Sequence, residues 1–165
     1  MIVTFVGHGE LYDTDQLQAQ LRDAIEYIIR YNDTTFYCGG YGSFDSMCAR
    51  VVKELKTSYP HTRSVYVAPY RNESILRAAK ESGLYDEILF AGLENAPPRF
   101  AIIKRNEYMV DHADLILAFV DHAWGGAYRT LSYAKSGKSP FLICRAGRYK
   151  IPKIPLFPLA YPAKI

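Results

Sequence analysis

Residues 114–126 read DLILAFVDHAWGG: an acid, six apolar residues in a row, then an acid, an imidazole, an alanine, an indole and two glycines. An apolar run of this length without polar alternation is the mark of a strand covered on both faces. Residues 126–136 then follow helical spacing up to Gly137, so the glycine pair joins a strand to a helix. The same passage occurs earlier, in FYCGGYGSFD (36–45). There TTFYC (34–38) breaks into three glycines and a serine, and Phe44, Met47, Cys48, Val51, Val52 and Leu55 continue at helical spacing.

Working outward from these two junctions, the alternation fills the chain. IVTFV (2–6) is a strand ending at Gly7. Leu17, Leu21, Ile25 and Ile28 mark a helix over 14–30, with Thr14 or Asp13 as its N-cap. SVYVA (64–68) and DEILF (86–90) are further strands, separated by a short helix over 73–81. A helix over 99–112 precedes DLILAFV, and SPFLICR (139–145) is the last strand. No two strands are close enough for a hairpin, so crossover helices must connect parallel strands. The expected fold is a Rossmann-like three-layer α/β domain over residues 1–146, with a mostly parallel sheet.

From 147 to 165 prolines recur every three or four residues, which forbids a helix and favours extended backbone. Ile, Leu, Phe and Tyr make this segment too apolar for a free tail, so it is expected to pack on its own domain or on a dimer partner. The 165-residue chain has a net charge of +3, and five basic residues and no acid lie from Arg145 onward, four of them in that basic tail, leaving about −2 on residues 1–144. So small a charge argues against nucleic acid as the partner. No stretch reaches the ~18 apolar residues of a membrane span, and MIVTFVGHGE lacks a basic leader region, so a cytoplasmic protein is expected. Cys38, Cys48 and Cys144 form no CxxC pair, consistent with reduced thiols.

Ligands of open parallel sheets bind beyond the carboxyl ends of the strands. The residues in that position are Gly7-His8-Gly9, Gly39-Gly40-Tyr41-Gly42-Ser43, Pro69-Tyr70-Arg71, Ala91-Gly92 and Asp121 to Gly126. Bare amides at a helix start, with the dipole behind them, hold anions, and three glycine pairs at one sheet edge point to phosphate. The flanking Tyr41, Asp45, Trp124, Tyr128 and Thr130 could stack on a base or meet ribose. Glycines also end strands for purely local reasons, which accounts for one such loop better than for three.

These motifs resemble the SLOG superfamily, the Rossmann-like domains shared by Lonely Guy proteins and the DNA-processing protein A family. The similarity lies in GHG (7–9), CGGYGSFDSMCARVVKELK (38–56), APY (68–70) and IIKRNEYMVDHADLILAFVDHAWGG (102–126), and it is closest to the YpsA-like branch. It implies a nucleotide-like ligand between the two glycine motifs, a homodimer, and binding positions at Gly39, Gly40, Gly42, Asp45, Arg105, Asn106, Gly125, Gly126 and Thr130. Lonely Guy enzymes share PGGxGTxxE, whereas this chain reads WGGAYRTLSYA (124–134): Trp124 replaces the proline, Tyr128-Arg129 the GT, and Ser132 the glutamate. An N-glycosidase needs a carboxylate near the sugar. Asp45 and Asp121 are the remaining candidates, and their roles stay open.

Single residues divide further. Ile102, Ile103, Met109 and Val110 define the buried side of the 99–112 helix, with Asn106 at its border, Lys104 solvated, and Arg105 facing either solvent or phosphate. VDHA occurs at 110–113 and at 120–123, but a strand of about seven residues separates the pairs by roughly 20 Å. One metal cannot bind both, and no metal site or cofactor is expected. His112 suits a helix C-terminus; Asp121 is the better functional candidate, with His122 equally suited to structure. Gly7 and His8 are placed near phosphate. Cys38 reads as a strand end, since no nearby base would activate it, and most of the 14 tyrosines are expected in packing.

The function read from these residues is the binding of a nucleotide or nucleotide-derived small molecule by Gly7, His8, Gly39, Gly40, Tyr41, Gly42, Asp45, Arg105, Asn106, Asp121, Gly125, Gly126 and Thr130. A hydrolase acting on such a ligand is one alternative, and single-stranded nucleic-acid binding is another.

Overall fold

The central strands of this protein are buried from both sides, and the reason can be followed residue by residue in the computed structural model, which describes residues 1–12, 14–92, 97–137 and 141–144. The strand β5 (Leu115–Phe119) is buried throughout. Its Leu115, Leu117 and Phe119 join one apolar cluster, while Ile116 and Ala118 join another on the opposite face. β1 (Ile2–Gly7) divides in the same way, with Val3 and Phe5 on the first side and Val6 on the second. The remaining strands are β2 (Thr35–Cys38), β3 (Arg63–Ala68), β4 (Glu87–Phe90) and β6 (Phe141–Cys144).

All neighbouring strands run parallel in the order β4-β3-β2-β1-β5-β6. The five helices are α1 (Thr14–Tyr31), α2 (Ser43–Leu55), α3 (Glu73–Ser82), α4 (Pro98–His112) and α5 (Gly125–Ser136). Leu21, Ile25 and Ile28 of α1 and Phe44, Val51 and Val52 of α2 cover the first sheet face. Val110 of α4 and Leu131 and Ala134 of α5 cover the second. This is the expected three-layer Rossmann-like α/β fold. Phe36 and Phe44 are almost fully buried, Phe36 stacked on Phe5 and Phe44 on Phe119. Truncating either to alanine would cost about 3–5 kcal/mol.

The chain builds outward from β1 to β4, then returns to the other side of β1 for β5. The strand order therefore reverses between β1 and β5, which is where open α/β sheets hold ligands. Their register pairs Gly7 with Phe119, so the two strands end side by side and their loops leave together.

Helix starts differ in a way that matters for function. The Asn72 side chain caps α3 by accepting from the Ile75 N–H at 3.1 Å. Neither α2 nor α5 has a side-chain cap. The expected Pro-rich tail (147–165) and Asp13 lie outside the described residues. Among those described, no helix is long and apolar enough to cross a membrane.

Candidate functional site

A cavity of about 750 Å³ opens at the β1/β5 reversal. The loops after β1, β2 and β5, one flank of α4 and the first turn of α5 line it. All the sequence-nominated binding residues lie on its wall except Gly40 and Gly42. A second, more open hollow of about 570 Å³ at the β4 edge, beside Arg71 and Lys80, contains none of the glycine loops.

The glycines divide into two kinds. A Cβ on Gly7 would lie 2.1 Å from the Phe44 ring, and one on Gly39 would lie 2.5 Å from the Arg105 guanidinium. Gly40 and Gly42 have φ of 66° and 91°, and a Cβ on them would meet the Tyr66 ring and the Gly9 backbone. The Ser43 amide donates to the Gly9 carbonyl at 2.8 Å, locking the first loop to the second. At these four positions the close approach is made by the protein to itself.

Gly126 is different. Its φ is not in the left-handed region, and nothing lies within 4 Å of a Cβ placed there. Gly125 has φ 85° and is likewise open. Glycine in a helical turn costs about 1 kcal/mol relative to alanine, and among the described residues no packing requires it at 126. The first turn of α5 also lacks an acid, so its amides and dipole face the cavity uncompensated. The start of α2 is by contrast partly satisfied, with Asp45 in its first turn.

Behind these loops runs a polar relay. Arg105 is 2% exposed, and its Nη1 donates to the carbonyls of Gly39 and Val67 (3.2 Å to the latter). Its Nε donates to Asn106 Oδ1 at 2.9 Å; Asn106 Nδ2 donates to Thr130 Oγ1 at 3.4 Å, and that hydroxyl donates to the Gly126 carbonyl at 2.9 Å. The relay connects the ends of β2 and β3 to the first turn of α5. Asp45 Oδ2 accepts from the Tyr41 N–H at 3.1 Å, while its Oδ1 is buried without a hydrogen-bond partner. Burial pushes the Asp45 carboxyl above its usual range, against the lowering effect of Arg105 and the loop amides. Burial likewise lowers Arg105, against the raising effect of Asp45.

The structure corrects the reading of α4. Its buried line is Ala101, Arg105 and Met109, at four-residue spacing, with Val110 beside it; Ile102 is 37% exposed and Ile103 only half-buried. The guanidinium takes the inward position because Gly39 leaves room for it and two strand-end carbonyls accept from it. Lys104 is exposed and paired with Glu107, as expected. His112, in the last turn of α4, contacts the Tyr108 carbonyl at 2.8 Å.

The third feature escaped sequence reasoning. His8 Nε2 lies 2.9 Å from Asp121 Oδ1 and accepts from the Asp121 N–H at 3.1 Å. His122 Nδ1 lies 2.5 Å from the same carboxylate oxygen. The two imidazoles are stacked with centroids 3.6 Å apart, and the Trp124 indole leans on His122 at 4.0 Å. Burial lowers the His8 pKa, the neighbouring His122 adds to this, and Asp121 opposes it. The distance argument against one metal binding both VDHA pairs still applies to those pairs. It overlooked His8, which the β1–β5 pairing carries to the second of them; adjacency of the first and fifth strands was the signal that would have found it. Cys38 is buried, and burial raises its thiol well above the ordinary value, so it is no thiolate. The tyrosines are less buried than expected, with Tyr12 and Tyr41 at 85% and 70% exposure on the cavity rim, beside Trp124 at 71%.

No family model matches the chain. It is 28% identical over 127 residues to the uncharacterized SPbeta prophage-derived protein YoqJ of Bacillus subtilis (strain 168), covering 67% of this chain and 74% of that protein. Its fold is similar to that of DNA processing protein A from Helicobacter pylori, described for its single-stranded DNA binding mode. The TM-score is 0.63 at 11% identity, over 87% of this chain and 64% of that one. DNA processing protein A from Streptococcus pneumoniae gives 0.58 at 13% identity, over 86% and 49%. The present chain thus spans under two thirds of the first structure and about half of the second. At these identities the likeness is one of fold.

Proposed function

We propose that the cavity binds a nucleotide or nucleotide-derived small molecule, with a phosphate on the open amides of Gly125 and Gly126. The observation that carries this reading is Gly126, a helical glycine that no packing among the described residues requires, at an uncapped helix start facing a cavity at the sheet's reversal point. The Asp45 and Asp121 carboxylates, both on the cavity lining, are the acceptors for ribose hydroxyls. The exposed rings of Tyr41 and Trp124 offer a face to a base. The resemblance to the SLOG superfamily, in its YpsA-like branch, agrees with such a ligand and with a homodimer.

The test is equilibrium dialysis of the purified chain against a pool of nucleotides, dinucleotides and cyclic nucleotides, read by mass spectrometry. The wild type should enrich at least one compound intact, and Gly126→Asp, which sets a carboxylate before the α5 amides, should not. Appearance of a base, sugar phosphate or diphosphate would instead assign a hydrolase, with Asp45 or Asp121 supplying the carboxylate. If the wild type and the variant are alike in retaining nothing, the reading fails.

Single-stranded DNA is the second reading. The fold likeness to DNA processing protein A and the exposed aromatic rim of Tyr12, Tyr41 and Trp124 favour it, since stacking on aromatic side chains is how single strands are held without sequence preference. It predicts oligonucleotide affinity falling steeply with salt, whereas a mononucleotide ligand predicts competition by the free nucleotide. The same samples in light scattering read the oligomeric state, for which a dimer is the expected value.

A further inference from the structure

We propose that His8, Asp121 and His122 form a binding site for a divalent transition metal of the zinc class on the wall of the cavity. Each residue offers one ligand atom (His8 Nε2, an Asp121 carboxylate oxygen and His122 Nδ1), and all three atoms lie within 4.8 Å of one another. Two imidazoles and a carboxylate are the donors that zinc and its neighbours in the first transition row prefer, whereas magnesium and calcium call for oxygen alone.

The donors come from two different loops, which the pairing of Gly7 with Phe119 brings together. His8 is the fixed member. It is buried, and its ring stands edge-on to Phe119 with centroids 6.4 Å apart. His122 and Asp121 belong to the loop before α5 and are half-buried and exposed. The donors now stand 2.5 and 2.9 Å from the shared carboxylate oxygen. In a tetrahedral site with bonds of about 2.0–2.1 Å, ligand atoms are about 3.3 Å apart. An opening of less than ~1 Å therefore makes room for an ion. The imidazole planes are 11° from parallel, so His122 must also turn out of its stack for both lone pairs to converge. The His8 lone pair that now accepts from the Asp121 N–H is the one an ion would take.

Three protein donors leave further coordination positions, and all three residues line the cavity. An ion here would present those positions to whatever occupies it, and a phosphate oxygen is the group that suits both the ion and the open α5 amides. That last step rests on the nucleotide reading, but metal binding itself does not.

The experiment uses the full, untagged chain stripped with a chelator and dialysed without any nucleotide. Titration with Co²⁺ should give one ion per chain with the visible absorption of a low-coordinate site, and an equivalent of Zn²⁺ should abolish that absorption. His122→Ala changes a half-buried loop residue and should weaken retention at least tenfold. His8→Gln should do the same, with circular dichroism confirming its fold. The control is His61→Ala/His112→Ala, which removes the remaining histidines and should bind like the wild type. Failure of the wild type to retain either ion at micromolar concentration would overturn the proposal. Equal retention by His122→Ala and wild type would do so as well. Running the nucleotide dialysis separately on chelator-treated protein distinguishes failure here from failure of the ligand reading.

Discussion

Replacing Arg105 by methionine keeps the length and apolar stem of the side chain and removes its charge and donors. In the native protein those donors serve the Gly39 and Val67 carbonyls and Asn106 Oδ1, from a position 2% exposed. The change leaves two strand-end carbonyls unserved and the buried Asp45 without its opposing charge. Removing one partner from a buried ionic arrangement costs about 3–5 kcal/mol, a large part of the ~5–15 kcal/mol that holds a domain together. Urea unfolding followed by far-UV circular dichroism at neutral pH should show that loss.

Asp45→Asn in the same background should recover part of it, with a coupling of about 1–3 kcal/mol between the two sites. The pH dependence has a definite sign. Burial already raises the folded Asp45 pKa, and Arg105 holds it down, so losing Arg105 raises it further. The cost of the buried charge is full above that folded pKa and disappears below the unfolded value of about 3.9. The stability gap between Arg105→Met and the wild type should therefore narrow as pH falls. A variant within ~1 kcal/mol of the wild type, or a gap that widens on acidification, would show that Arg105 does not hold this site together.

Gly42→Ala forces a side chain into φ 91° and against the Gly9 backbone, and should cost about 1–3 kcal/mol in urea unfolding. Gly126→Ala should instead hold or raise stability by up to ~1 kcal/mol while weakening nucleotide retention; the reverse pattern would exchange the roles assigned to the two loops. Asp86 accepts from Lys56 Nζ and, through Oδ2, from the Ser64 N–H at 2.7 Å. Burial acts to raise its carboxyl, but these donors outweigh it and the net shift is downward. Its contribution is present above the unfolded pKa of about 3.9 and is lost as pH falls through the depressed folded value. The urea midpoint of Asp86→Asn should accordingly lie below that of the wild type at pH 7, and the gap should narrow progressively as pH falls below about 3.9; a gap that stays constant or widens on acidification would remove Asp86 as the cause.

What could be read from the sequence depended on range. DLILAFV is legible as a strand because a residue buried on either sheet face must be apolar whatever lies above or below it, so no distant partner is needed to recognise it. The carboxyl-edge rule then located the cavity, since the rule needs only the strand order to reverse somewhere. The individual glycines were not legible. Gly39 exists for Arg105 and Gly7 for Phe44, and nothing near either glycine in sequence announces its partner. A glycine fitted to a phosphate and a glycine fitted to a guanidinium look alike in a string of letters; only a neighbour that fills, or leaves open, the space of the missing Cβ separates them. By that criterion Gly9, Gly125 and Gly126 stand apart from the other glycines of these motifs, and of the three only Gly126 lies inside a helix turn without a positive φ; His8 is a second residue whose role the letters do not show. Gly126 is open where packing would have closed it, and His8 is brought by β1–β5 pairing to a carboxylate more than a hundred residues away. Both lie at the one place where the chain reverses its direction of winding, so the same topological step that made the fold legible assembled the part of the site that was not.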